Sequence, residues 1–128
     1  MMKTDLTIQE VAALTGLSGH TLRYYERIGL LDHVNRADSG HRRYSNDDIA
    51  WIEFLTRLRA TGMPICQMQQ FAALRRQGDI TVSARRELLE KHWESVQLQL
   101  AQLQRHLSAI ESKITYYKGL EANHDTGT

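Results

Sequence analysis

Within the stretch TLRYYERIGLL, Thr21 to Leu31, two arginines and two adjacent tyrosines fall on what reads as one short helix. Leu22, Tyr25 and Ile28 recur at i, i+3 and i+6, so they form an apolar stripe. Neighbouring residues on a helix stand about 100° apart, so Tyr24 cannot share that stripe with Tyr25. Thr21, Arg23, Tyr24 and Arg27 therefore lie off it. A guanidinium can fork onto a guanine edge, and a phenol hydroxyl can reach a phosphate. The chemistry on offer is nucleic-acid recognition. Exposed Arg and Tyr are also ordinary on a solvated helix face, and on this stretch alone both readings stay open.

Other kinds of chemistry have little to work with. No Ser/His/Asp arrangement, phosphate loop or framed pair of carboxylates is present, so an enzyme is not expected. Six histidines are scattered without tight ligand spacing, and a zinc site needs three or four convergent ligands. No metal site and no cofactor are expected. The one cysteine, Cys66, follows Pro64 at the start of a helix, where unpaired N–H groups favour a thiolate. Apolar Ile65 and Met68 beside it argue instead for a buried, inert sulfur.

The elements that must position these residues are legible in order. TIQE opens a first helix at Thr7 with a capping box, and Gly16 stops it. A second helix starts at Ser18 and ends at Gly29, a helix-turn-helix pattern. The stretch LLDHVNRADSGHRRYS crowds Asn, Asp, Ser and Gly between short segments, and reads as a hairpin. It gathers Arg36, His41, Arg42 and Arg43, with Tyr44 adjacent, as a basic wing would. Ser45 caps a third helix whose Ile49, Ile52, Leu55 and Leu58 read as core. After Gly62, Pro64 suits the first turn of a fourth helix that ends at Gly78, a second wing flanked by Arg57, Arg59, Arg75 and Arg76.

From Val82 to about Glu121 nothing breaks a helix. Leu89, Trp93, Val96, Leu100, Leu103, Leu107, Ile110, Ile114 and Tyr117 alternate steps of four and three, an unbroken heptad stripe. Such a helix is roughly 60 Å long and cannot bury its stripe on so small a domain, so a homodimer is expected. The division expected is a DNA-binding domain over 1–78, a coiled-coil helix over 79–122 and a disordered tail over 123–128.

Bulk properties set bounds on this reading. The 128 residues carry a net charge of +1. Residues 1–78 hold ten Lys/Arg against eight Asp/Glu, and residues 79–128 six against seven. Any nucleic-acid footprint must be a local cluster. A single cysteine permits no intrachain disulfide, and the N-terminus lacks the apolar core of a signal peptide. No run is long enough to span a membrane. The expected location is the cytoplasm.

The order of elements resembles the MerR family of bacterial transcription regulators. The resemblance rests on TIQEVAALTGLSGHTLRYYERIGLL, then RRYSNDDI, then LRATGMPICQM, and covers nearly the whole chain. It implies an all-α fold with a small β-hairpin wing: a winged helix-turn-helix domain plus a long C-terminal helix forming an antiparallel coiled coil. It places Arg23 and Tyr24 at double-stranded DNA, Arg42, Arg43 and Tyr44 in the first wing, and Arg59 on the backbone near the second. Ser18 and Thr21 would meet phosphate at a helix N-terminus. Tyr25 would lie near DNA, whereas its spacing buries it. Such dimers read a near-palindromic operator and distort an overlong promoter spacer, realigning it for RNA polymerase. An architectural or excisionase-like DNA-binding protein is the alternative reading.

The resemblance also bears on an effector. Drug-binding members append an effector domain, and this chain stops just after the coiled coil, so none is expected. Metal-binding members carry cysteines near the end of the long helix, and here none follows Cys66. The ending LSAIESKITYYKGLEA resembles the short aldehyde- or thiol-stress branch, so a small-molecule effector is implied. That branch often uses a cysteine in the third helix, where this sequence has Arg57 and places Cys66 beyond Gly62.

Overall fold

A computed structural model describes residues 6–31 and 43–126. Among the described residues five α-helices follow one another: α1 (Ile8–Thr15), α2 (Gly19–Arg27), α3 (Asn46–Ala60), α4 (Ile65–Arg76) and α5 (Val82–Thr126), with a 3-10 turn, Asp79–Thr81, ahead of α5. The chain divides into two compact units, one up to Leu89 and one from Glu90 onward.

Capping boxes explain where α1 and α3 begin. The first N–H groups of a helix have no partner within it, and a side-chain oxygen at the cap supplies one. Thr7 Oγ1 accepts from the Glu10 N–H while the Glu10 carboxylate accepts from the Thr7 N–H, both at 3.2 Å. Ser45 and Asp48 repeat the reciprocal pair at 3.1 and 2.8 Å. Gly16 ends α1 at φ 75°, a left-handed conformation that costs a side-chain-bearing residue more than glycine. Its N–H donates to the Ala12 carbonyl at 2.9 Å.

These helices enclose one core. Val11 of α1, Leu22 of α2, Ile52 and Leu55 of α3 and Met68 of α4 are wholly buried, with Met63 from the α3–α4 turn. Each such side chain contributes about 1.5–3 kcal/mol by leaving water. Trp51, Phe54 and Phe71 add an aromatic cluster, with Trp51 and Phe71 stacked at 5.7 Å between centroids. Leu88 and Leu89 pack against this core from the start of α5. The first unit therefore runs past the expected boundary at residue 78, and Leu89 serves this core rather than only a heptad stripe.

The second unit is one helix. It is helical through residue 126, so residues 123–126, expected to be disordered, continue α5. Leu100, Leu103, Leu107, Ile110, Ile114 and Tyr117 are each 48–59% exposed in the single chain. Leu98, Tyr116 and Leu120 are also exposed and lie off the expected stripe.

Most of the expected first wing, residues 32–42, lies outside the described residues, and Arg42 with it. What is described is its edge: Leu6 and Tyr44 form an isolated antiparallel bridge, exchanging main-chain hydrogen bonds at 2.7 and 2.8 Å.

Candidate nucleic-acid interface

The candidate surface is built on α2. Ser18 caps it, accepting from the Thr21 N–H at 3.1 Å, and the Ser18 and Thr21 hydroxyls lie 3.0 Å apart. The two residues expected at phosphate thus stand together at the positive end of the helix. Leu22 and Tyr25 turn inward, Tyr25 only 6% exposed, as its spacing predicts and against its expected place at DNA. His20, Arg23, Tyr24 and Arg27 follow at i, i+3, i+4 and i+7, and all four are exposed. His20 is a member that reading the sequence for charge alone did not select.

Contacts along this face give it shape. The Arg27 guanidinium lies over the Tyr24 ring at 5.6 Å from its centroid. The Arg23 guanidinium reaches back along the helix toward Gly19, where an added Cβ would stand 3.5 Å from Arg23 Nη1 and 3.6 Å from Ile8 Cδ1. Two guanidinium groups and a phenol therefore share one surface of a short helix. This set can place charge-assisted donors on phosphates and forked donors on base edges.

The cap is open to direct test. Ser18→Ala is expected to cost about 1 kcal/mol of stability, because the Thr21 N–H loses its acceptor, while Ser18→Asn retains most of it. Urea unfolding of the two variants checks this, and equal midpoints for both would remove the cap from the account.

The other expected site residues are distributed unevenly. Arg43 is half-buried and Arg59 is exposed on the last turn of α3, beside exposed Arg57. Tyr44 does not join them. Its side chain is 0% exposed, because the bridge to Leu6 turns it into the core. The expectation of a DNA-facing Tyr44 is corrected on that ground. Cys66 is corrected in the opposite sense: it is exposed on the first turn of α4, although Ile65 and Met68 flank it. At its spacing Met68, not Cys66, faces inward. Among the described residues no group of three His, Cys, Asp or Glu side chains is placed to hold a metal ion.

Three donors grip the end of α2. Trp51 Nε1 donates to the Leu30 carbonyl at 2.7 Å, and Gln69 Nε2 to the Ile28 carbonyl at 2.9 Å. The Arg76 guanidinium donates to the carbonyl of Gly29 between them. Main-chain N–H groups take carbonyls in the last turn of α2 itself, and side chains from α3 and α4 supply donors to the three carbonyls that follow it. Gly29 sits at φ 85°, and a Cβ there would stand 3.5 Å from Arg76 Nη2. None of these long-range bonds has a signature in helical periodicity.

The sequence profile of the MerR HTH family of regulatory proteins matches residues 6–74, more than half of the chain. The chain belongs to the MerR family. A second profile, for MerR DNA binding, matches residues 49–115, so the MerR likeness extends from the helix-turn-helix well into α5. An uncharacterised HTH-type transcriptional regulator of Haemophilus influenzae is 35% identical over 116 residues, 91% of this chain and 86% of that protein. The HTH-type transcriptional regulator AdhR of Bacillus subtilis is 45% identical over 84 residues, 66% of this chain and 60% of that protein. Among solved structures, HiNmlR, described as a MerR family regulator lacking the sensor domain and bound to promoter DNA, superposes with a TM-score of 0.83 at 35% identity. The match covers 92% of this chain and 94% of HiNmlR. A MerR family regulator from Listeria monocytogenes gives a TM-score of 0.84 at 36% identity, covering 88% and 86% of the two chains. This MerR protein is accordingly a DNA-binding transcriptional regulator and not an enzyme. Among its described residues no helix is long and apolar enough to cross a membrane.

Proposed function

We propose that the protein is a cytoplasmic homodimer that binds a near-palindromic promoter operator, one half-site per copy. The observation that carries this reading is the exposed face of His20, Arg23, Tyr24 and Arg27 on a capped helix of a helix-turn-helix. The N-terminal part of such a helix enters the major groove. Arg23 reads a base edge, and Ser18, Thr21 and Tyr24 hold phosphates. Arg42 and Arg43 of the first wing and Arg59 near the second grip the backbone. An antiparallel pair of α5 helices fixes the half-site distance through Trp93, Val96, Leu100, Leu103, Leu107, Ile110, Ile114 and Tyr117.

On this reading the dimer activates transcription by deforming an overlong spacer so that RNA polymerase engages both promoter elements. Deformation is driven by backbone contacts and costs the DNA several kcal/mol. Effector chemistry, if covalent, falls to Cys66, which is the one thiol and is exposed. The relatives support the regulatory part, since HiNmlR is described on promoter DNA.

The experiment separates base readout from backbone grip. Arg23→Ala is expected to lose about 1–3 kcal/mol on the preferred duplex and to relax base preference. Arg43→Ala is expected to weaken all sequences alike and to reduce the salt slope by about one unit. Identical losses for both variants on preferred and random duplexes would contradict the assignment. Footprints with and without polymerase distinguish promoter distortion from purely architectural binding.

A further inference from the structure

The grip on α2 is one half of a longer connection. Gln69 and Arg76 stand two turns apart on α4, beside its buried face of Met68, Phe71 and Ala72. They hold the Ile28 and Gly29 carbonyls at the C-terminal end of α2. The C-terminal turn of α4, which carries Arg76, is fastened in turn. Thr81, a buried polar residue, shares its hydroxyl between the Leu74 and Gly78 carbonyls. Arg85 of α5 donates from Nε to Thr81 Oγ1 at 3.2 Å and from Nη2 to the Gly78 carbonyl at 3.0 Å. Helix α4 is therefore bonded on one side to the segment that ends α2 and, around its last turn, to Thr81 and the root of α5.

We infer that Gln69 and Arg76 are positioning residues for DNA readout, setting the angle of α2 against α4 and the root of α5. The inference rests on the reading of α2 as the helix that faces DNA. Both side chains are exposed, so the hydrophobic effect does not explain their placement. Both donate to main-chain carbonyls in one three-residue segment, which fixes the direction of a helix end rather than filling a space. Gln69 is uncharged, so removing it takes no phosphate-attracting charge away from the surface. A loosened α2 still meets DNA electrostatically but no longer holds Arg23 at one base edge.

The test uses the full chain and four variants: Gln69→Met, Arg76→Met, Arg76→Lys and Arg23→Ala. The probes are the duplex that the wild-type protein selects from a randomised pool and a scrambled duplex of the same composition. Gln69→Met and Arg76→Met are expected to lose at least about fivefold in the ratio of selected to scrambled affinity, the lower edge of a single mismatched base pair. Thermal unfolding of Gln69→Met is expected to match the wild type. Arg76→Lys, which keeps a donor, is expected to restore most of the ratio. Wild-type ratios for both Met variants, with Arg23→Ala impaired, would overturn the inference and leave the reading of α2 standing. A wild-type ratio for Arg23→Ala would remove that reading and the inference with it. A ratio that falls only together with the unfolding midpoint, without rescue by lysine, would reduce the pair to a structural role and also overturn it.

Discussion

Replacing Leu103 and Leu107 together by lysine is expected to leave the protein monomeric. Both side chains are more than half exposed in the single chain, at 59% and 55%, in the middle of an apolar stripe with a 4-3 step. A helix with such a stripe is stable in water when a second helix covers it. Two ammonium groups placed in that seam would lose their hydration without gaining a partner, which costs several kcal/mol each. Light scattering checks the result: a mass near 14.7 kDa for the variant against twice that for the wild type. A variant that stays at twice the chain mass would show that α5 does not form the seam. On the proposed reading a monomer presents one DNA-facing helix instead of two, so affinity for the selected duplex is expected to fall with it.

Trp51→Ala is expected to destabilise the first unit by about 3–5 kcal/mol, as for other large aromatic deletions in cores. The indole is 7% exposed and packs against Phe54 and Phe71, at 6.1 and 5.7 Å between centroids. The Arg75 guanidinium lies over it at 4.4 Å from the ring centroid. Its Nε1 also supplies the donor to Leu30. A domain of this size has about 5–15 kcal/mol in total, so the variant approaches the point of unfolding. Trp51→Phe keeps much of the stack and removes the donor, for which about 1–3 kcal/mol is expected. Denaturant unfolding of the two variants measures both terms, and a loss below about 1 kcal/mol for Trp51→Ala would contradict the packing account.

How much of this was legible in the sequence depends on what kind of signal each residue carries. Thr7, Ser18 and Ser45 mark helix starts because capping is a local exchange of hydrogen bonds, decided within four residues, and Pro64 marks one through its fixed φ of −62°. The inward turn of Leu22 and Tyr25 follows from a spacing that the helix itself imposes. Tyr44 was misplaced because its environment is set by Leu6, a partner remote in the chain. Cys66 was misjudged because apolar neighbours in sequence are not neighbours on a helix face. Leu89 fits a heptad and also reaches the core of the first unit, and periodicity cannot separate those roles. Trp51, Gln69 and Arg76 as partners of Ile28, Gly29 and Leu30 were invisible: the bonds join residues 21 to 47 positions apart and depend on how two helices pack.

That same separation has a consequence for the ribosome. Helix α2 leaves the exit tunnel well before the residues that hold its end. Until Trp51, Gln69 and Arg76 have emerged, the carbonyls of Ile28, Gly29 and Leu30 are hydrated and the helix has no fixed direction. At about 5–20 residues per second of synthesis, the wait lasts on the order of seconds. The face proposed to meet DNA is encoded early and set late. A nascent chain halted before α4 would carry the arginines of α2 without a fixed way to aim them, so on the proposed reading truncated products would have little means of competing for promoter DNA.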